Sequence, residues 1–390
     1  MDKKSLLIVI PHLTIGGVQK TFVSASKALD YDKYDVTLYL RKNRTDLLEY
    51  IDKHINVIVN TDPNRYYRKP YAIVLQLKML LNKVLGRKSK ADSLERELSD
   101  KILEDAMRYE QRTYFLSKKY DIAMAYVQGY TALFVDKCID AEKKIIFFHT
   151  SVDEMHDMHK SILPDFDEIA ALHKEQKELL EQWYPEEKAK ISIVENYTDK
   201  DLIVSQSKNI TIEETDSKTV LCSCGRFTPV KGFDMAVESA KILKNNGVDF
   251  VWYFVGDGPE RNNIEKKIAE NRLENNIVIT GMQKNPYPYM AACDIYVQPS
   301  YEESWGLTIA EAHRLGKPVI TTATVGGRKL VKNDVNGIVC GINPESIAKS
   351  IITLINVKEK YNHITDNLKS TNYSHEFEKY KEQWNALLEG

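Results

Sequence analysis

Short apolar runs alternate along this chain with longer stretches whose apolar positions recur at helical spacing. Leu6–Ile10, Val36–Leu40, Val57–Val59, Ile122–Val127, Lys144–Phe148 and Ile191–Val194 read as buried parallel strands, and Val18–Leu29 as the first helix. A charged helical stretch covers Asp92–Lys119, and the polar stretch Asp199–Lys218 reads as a linker. The alternation restarts at Thr219. Strands are expected at Val220–Cys224, Val251–Val255, Asn276–Thr280, Asp294–Val297 and Val319–Thr322, with helices at Asp234–Lys244, Tyr287–Ala292 and Leu307–Leu315. A last amphipathic helix, Tyr373–Leu388, carries Trp384. Strand–helix alternation that begins twice predicts an α/β chain of two doubly wound, Rossmann-like domains, divided into 1–200 and 201–372.

The candidate chemistry sits in loops that follow strands. Gly16-Gly17 stand between the first strand and the first helix, where glycine permits positive φ and a phosphate can approach helix N–H groups. Gly225-Arg226-Phe227-Thr228-Pro229-Val230-Lys231-Gly232 leaves the strand Val220–Cys224. Arg226 offers a planar fork and Lys231 a point charge beside a helix entry, a pairing suited to a diphosphate. Gly256-Asp257-Gly258-Pro259-Glu260 is a further strand-to-helix turn, with Pro259 suited to a first helical position. Pro299–Pro318, PSYEESWGLTIAEAHRLGKP, then runs as strand, loop, helix, strand, with seven residues between Glu303 and Glu311. One carboxylate ahead of the helix and one within it suit a ligand that bears both hydroxyls and phosphates.

Glu303, the Ser304-Trp305-Gly306-Leu307 loop, Glu311 and the following Gly-Lys-Pro-Val resemble the donor-sugar motif of the family-4 retaining glycosyltransferases. The GRxxxxKG block at Arg226–Gly232 matches the same family. The resemblance is strong over 219–340 and looser before it. It implies a GT-B architecture: two facing Rossmann-like domains with a cleft between them, an N-terminal acceptor-side domain and a C-terminal nucleotide-sugar domain. The helix at 373–390 would pack back on the first domain. By resemblance, Arg226 and Lys231 hold the donor diphosphate, Glu303 the transferred sugar and Glu311 the ribose. Gly16 and Gly17, Gly256 and His149, at the end of the strand Lys144–Phe148, line the site, and Met282 is the candidate to pack on the base. Two departures stand out. Asn196-Tyr197 occupies the place of the family's Asn-Gly-Val-Asp turn, and Arg328-Lys329 follow the double glycine Gly326-Gly327 where an acidic residue is common.

Composition narrows the partners. A formal net charge of −2 argues against general nucleic-acid binding. Five cysteines show no paired metal spacing and read as buried free thiols. His156 and His159 among acidic residues lack the HExxH spacing, so a solvated helix face is expected rather than a metal site. No run reads as a signal peptide or a membrane span. Asn64–Ala91 is basic, contains no Asp or Glu, and places Ile73, Val74, Leu77, Leu80, Leu81 and Val84 on one helical arc. It suits either an anionic membrane surface or a helix packed on the domain.

The expected activity is transfer of a hexose or N-acetylhexosamine, with retention, from a nucleotide-diphosphate sugar to a hydroxyl of a glycan or lipid-linked acceptor. UDP is the donor nucleotide favoured by the resemblance, and no metal or other cofactor is expected. The expected place is the cytoplasm, peripheral on the inner face of the membrane, in surface polysaccharide assembly. A nucleotide-sugar epimerase and a catalytically silent partner subunit are the alternatives.

Overall fold

The computed structural model describes residues 3–61, scattered positions between 74 and 116, and residues 118–150, 155–208 and 218–390. The chain forms two units, Met1–Asn196 with Glu378–Gly390, and Tyr197–Phe377.

The first unit holds seven strands: β1 Lys4–Ile10, β2 Tyr34–Leu40, β3 Asn56–Val59, β4 Tyr120–Ala125, β5 Ala141–Phe147, β6 Glu168–Ala171 and β7 Ile191–Ile193. They pair in parallel in the order β3-β2-β1-β4-β5-β6-β7. Leu6–Ile10 is wholly buried, which explains its unbroken apolar run: both faces of a parallel sheet are covered, so no polar alternation survives. Strand order reverses between β1 and β4, and the loop after β1 leads to the helix Gly17–Ala28. Neither Gly16 nor Gly17 has positive φ. Gly16 is extended at φ −173° and Gly17 already begins the helix, so the left-handed geometry that glycine permits is not used there. In the helix Ser374–Glu389, Trp384 is fully buried and stacks on Phe147 with ring centroids 5.3 Å apart.

The second unit holds β8 Thr219–Cys224, β9 Phe250–Val255, β10 Ile277–Gly281, β11 Ile295–Gln298, β12 Val319–Thr322 and β13 Gly337–Cys340. Its parallel sheet runs β10-β9-β8-β11-β12-β13, reversing between β8 and β11. Its core includes Phe227, Phe233, Trp252 and Phe254 packed ring against ring. Part of the expected linker is a helix, Lys200–Ser207. Asp199 caps it by accepting from the Leu202 N–H at 3.1 Å, and Ile203 anchors it in the core.

Other expectations change on the first unit. His159 is buried rather than solvated. Its Nε2 accepts from the Gly129 N–H at 2.8 Å and its ring meets Phe148 edge-on, so it closes a turn inside the fold. Among the described residues no group of His, Cys, Asp and Glu could hold a metal ion, and no helix is long and apolar enough to cross a membrane. All five cysteines are buried free thiols. Most of segment 64–91 lies outside the described residues, but Val74, Leu77, Leu80 and Leu81 within it are exposed.

Candidate active site

Open parallel sheets bind ligands outside the carboxyl ends of their strands, at the point where strand order reverses. In the second unit that point lies between β8 and β11. The loop after β8 carries Arg226 and Lys231, and the loop after β11 carries Glu303. Residues separated by seventy-two positions thereby meet: Lys231 Nζ donates to Glu303 Oε2 at 2.7 Å, with side chains 27% and 11% exposed.

Backbone packing enforces this meeting. Gly232 has φ +65°, and a Cβ there would lie 2.0 Å from the Pro299 carbonyl oxygen. The Val230 carbonyl accepts from the Tyr301 N–H at 2.8 Å and from the Glu302 N–H at 3.2 Å. The two loops are therefore one backbone-bonded surface, with Lys231 and Glu303 at its edge. Arg226 is exposed, and among the described residues its side chain makes no hydrogen bond or ion pair, while its carbonyl accepts from the Thr228 N–H at 2.8 Å. Its loop is seated by Gly256 and Gly258. A Cβ on Gly256 would lie 1.9 Å from the Gly225 carbonyl oxygen, and one on Gly258 2.4 Å from that of Phe227.

Glu303 is held from several sides. Its Oε1 accepts from the Gly306 N–H at 3.3 Å, and Gln298 Nε2 donates to its Oε2 at 3.4 Å. Gln298 is fixed in turn, since its Oε1 accepts from Tyr296 and Thr308 hydroxyls at 2.9 Å each. Gly306 has φ +83° and caps the helix Leu307–Arg314, a conformation that glycine adopts without Cβ strain. Ser304 and Leu307 are half-buried on either side of Trp305 and Gly306. Trp305 itself is buried, with Lys329 Nζ 3.9 Å from its ring centroid. One of the two basic residues that follow Gly326-Gly327 therefore packs on the aromatic ring of this loop. Glu311, only 2% exposed, accepts from the Tyr287 hydroxyl at 2.9 Å.

Gly256 and Gly281 form an isolated bridge, which sets Met282 beside the end of β9, where it is 69% exposed. His149 belongs to the first unit. It packs against Tyr126 and Phe147, and among the described residues its buried Nε2 has no hydrogen-bond partner. Burial lowers its pKa to about 4, so the imidazole is neutral near pH 7. Gly16 and Gly17 also lie in the first unit, after β1. Gln298, Tyr287 and the packing role of Gly232 go beyond the residues read as the site from sequence. The strand-end Gln298-Pro299 and the glycine after Lys231 were the signals available.

Residues 205–371 match the family model for glycosyl transferases group 1. That match covers most of the second unit. Among curated relatives, the lipopolysaccharide core biosynthesis glycosyltransferase LpsE of Rhizobium meliloti (strain 1021) is 29% identical over 169 residues, 43% of this chain and 48% of LpsE. The O-antigen biosynthesis glycosyltransferase WclY of Escherichia coli is 26% identical over 159 residues, 40% of this chain and 43% of WclY. The chain thus spans about half the length of these curated relatives. Among solved structures, Anabaena Alr3699/HepE in complex with UDP superposes with a TM-score of 0.71 at 18% identity, covering 99% of each chain. That likeness is one of fold, GT-B, and it extends over both units.

Proposed function

We propose that this protein moves a hexose or N-acetylhexosamine from a nucleotide-diphosphate sugar to a hydroxyl of a glycan or lipid-linked acceptor, with retention, in surface polysaccharide assembly. The observation that carries the reading is the contact of Lys231 with Glu303 at the β8/β11 reversal. The names of LpsE and WclY support the acceptor class, and the UDP bound in the HepE structure supports UDP as nucleotide.

In this reading Arg226 and Lys231 stabilise the departing diphosphate, supported by N–H groups at the helix entries. Lys231 exchanges part of its bond to Glu303 for a phosphate oxygen, and Glu303 turns to the sugar hydroxyls while Glu311 takes the ribose. The bond from anomeric carbon to diphosphate oxygen breaks, the acceptor oxygen bonds to that carbon, and its proton passes to a phosphate oxygen. No protein nucleophile is assigned. His149, neutral, serves as a hydrogen-bonding group rather than an acid, and the first unit supplies the acceptor side. The exposed Val74, Leu77, Leu80 and Leu81, amid the lysines and arginines of 64–91, support docking of that segment on an anionic membrane.

Incubation with UDP-, GDP- and ADP-sugars, followed by mass spectrometry, tests this. Release of nucleoside diphosphate with transfer or slow hydrolysis is expected. An epimerised donor would indicate the epimerase, and no turnover of any donor would leave the silent subunit. Addition of vesicles to the same mixtures tests docking. Sedimentation with anionic but not neutral lipid is expected, and equal or absent binding removes the membrane claim.

A further inference from the structure

The chain passes between the two units twice, at Asn196–Tyr197 and at Phe377–Glu378. Both passages are anchored, on the second-unit side, by one buried side chain. Arg314 ends the helix Leu307–Arg314, one turn after Glu311, and is 6% exposed. Its Nε donates to the carbonyl and to the hydroxyl of Thr198, at 3.1 Å each, just after the first passage. Its other end pairs with Glu376, just before the second. The guanidinium carbon lies 3.7 Å from the centroid of the Tyr373 ring, and the Tyr197 and Phe377 rings meet at 5.1 Å.

We infer that Arg314 is a positioning residue that ties both passages to the helix carrying Glu311, so that nucleotide held by Glu311 orders the passages. This rests on the donor reading proposed above. A single rigid helix of eight residues carries both side chains, so ordering one end restrains the other. Coupling of this kind is reciprocal: if the nucleotide steadies the clasp, the clasp tightens the nucleotide by the same factor. Arginine is needed because a planar fork can bridge two partners while stacking on a ring, whereas lysine cannot.

Hydrogen exchange on the full chain with and without UDP tests this, using Arg314→Lys and Glu376→Gln in place of an alanine variant that could unfold the node. In the native chain UDP should slow exchange at 303–311 and, by about 5-fold or more, at 197–203 and 373–378. In Arg314→Lys and Glu376→Gln the slowing at 303–311 should persist and that at the passages should fall below about 2-fold, with UDP bound about 5-fold more weakly. A merely structural role would raise exchange equally with and without UDP. Native protection confined to 303–311, or full UDP-dependent protection in both variants, overturns the clasp while leaving the donor site standing. No protection at 303–311 by UDP, GDP or ADP overturns both.

Discussion

Replacing Arg226 and Lys231 together with alanine is expected to lower donor turnover by about 10³-fold or more, on the scale of 10²–10³ for each preorganised group facing a developing charge. The Arg226 side chain is exposed and, among the described residues, unbonded, so its removal alone should leave the fold intact and cost about 10²-fold. Lys231 differs. Its loss strands Glu303, 11% exposed, without its cation, so part of the effect will appear as lower stability. Turnover measured beside thermal melting separates the two contributions. The loss in the double variant should exceed the product of the two single losses, because either cation partly covers for the other on one diphosphate. A double variant within about threefold of the native rate would remove both residues from the chemistry, since a loss of that size is about 0.7 kcal/mol.

Gly232→Ala should be the most damaging single substitution of a residue that touches no substrate. Its φ of +65° costs a non-glycine residue about 1–2 kcal/mol, and the added carbon would sit 2.0 Å from the Pro299 oxygen. Relief requires the loops after β8 and β11 to part, which withdraws Lys231 from Glu303. A loss of about 3 kcal/mol and a melting point lower by roughly 6–12 °C are expected, with donor affinity falling alongside. Gly247→Ala is the control. Its φ is +72° but a Cβ there meets nothing within 4 Å, so it should cost only the conformational part. Equal losses in the two variants would show that the Pro299 contact carries no weight.

The two doubly wound units were legible because buried parallel strands such as Leu6–Ile10 and Val251–Val255 are uninterrupted apolar runs, set between helices of clear period. Short strands escaped. Glu168–Ala171 opens on a glutamate and Gly337–Cys340 on the glycine of an Asn-Gly turn signal, whereas the equally short Val319–Thr322 has no such interruption. The helix Lys200–Ser207 was hidden because one apolar anchor, Ile203, and a capping aspartate give little periodicity. His159 looked like one of a solvated acidic group, because sequence does not reveal that a ring nitrogen will close the Gly129 turn. At the candidate site, Arg226, Lys231, Glu303 and Glu311 stand out from motif spacing. What could not be read was how they are held. The approach of Gly232 to Pro299, the Tyr287 hydrogen bond to Glu311 and the Gln298 brace on Glu303 all join residues distant along the chain.

A crystal structure of the full chain with UDP bound addresses the donor site most directly. The diphosphate should lie against Arg226 and Lys231, with the ribose hydroxyls on Glu311 and Glu303 left facing the vacant sugar position. Nucleotide bound elsewhere on the protein, with Lys231 still paired to Glu303 and Arg226 still in solvent, would contradict it.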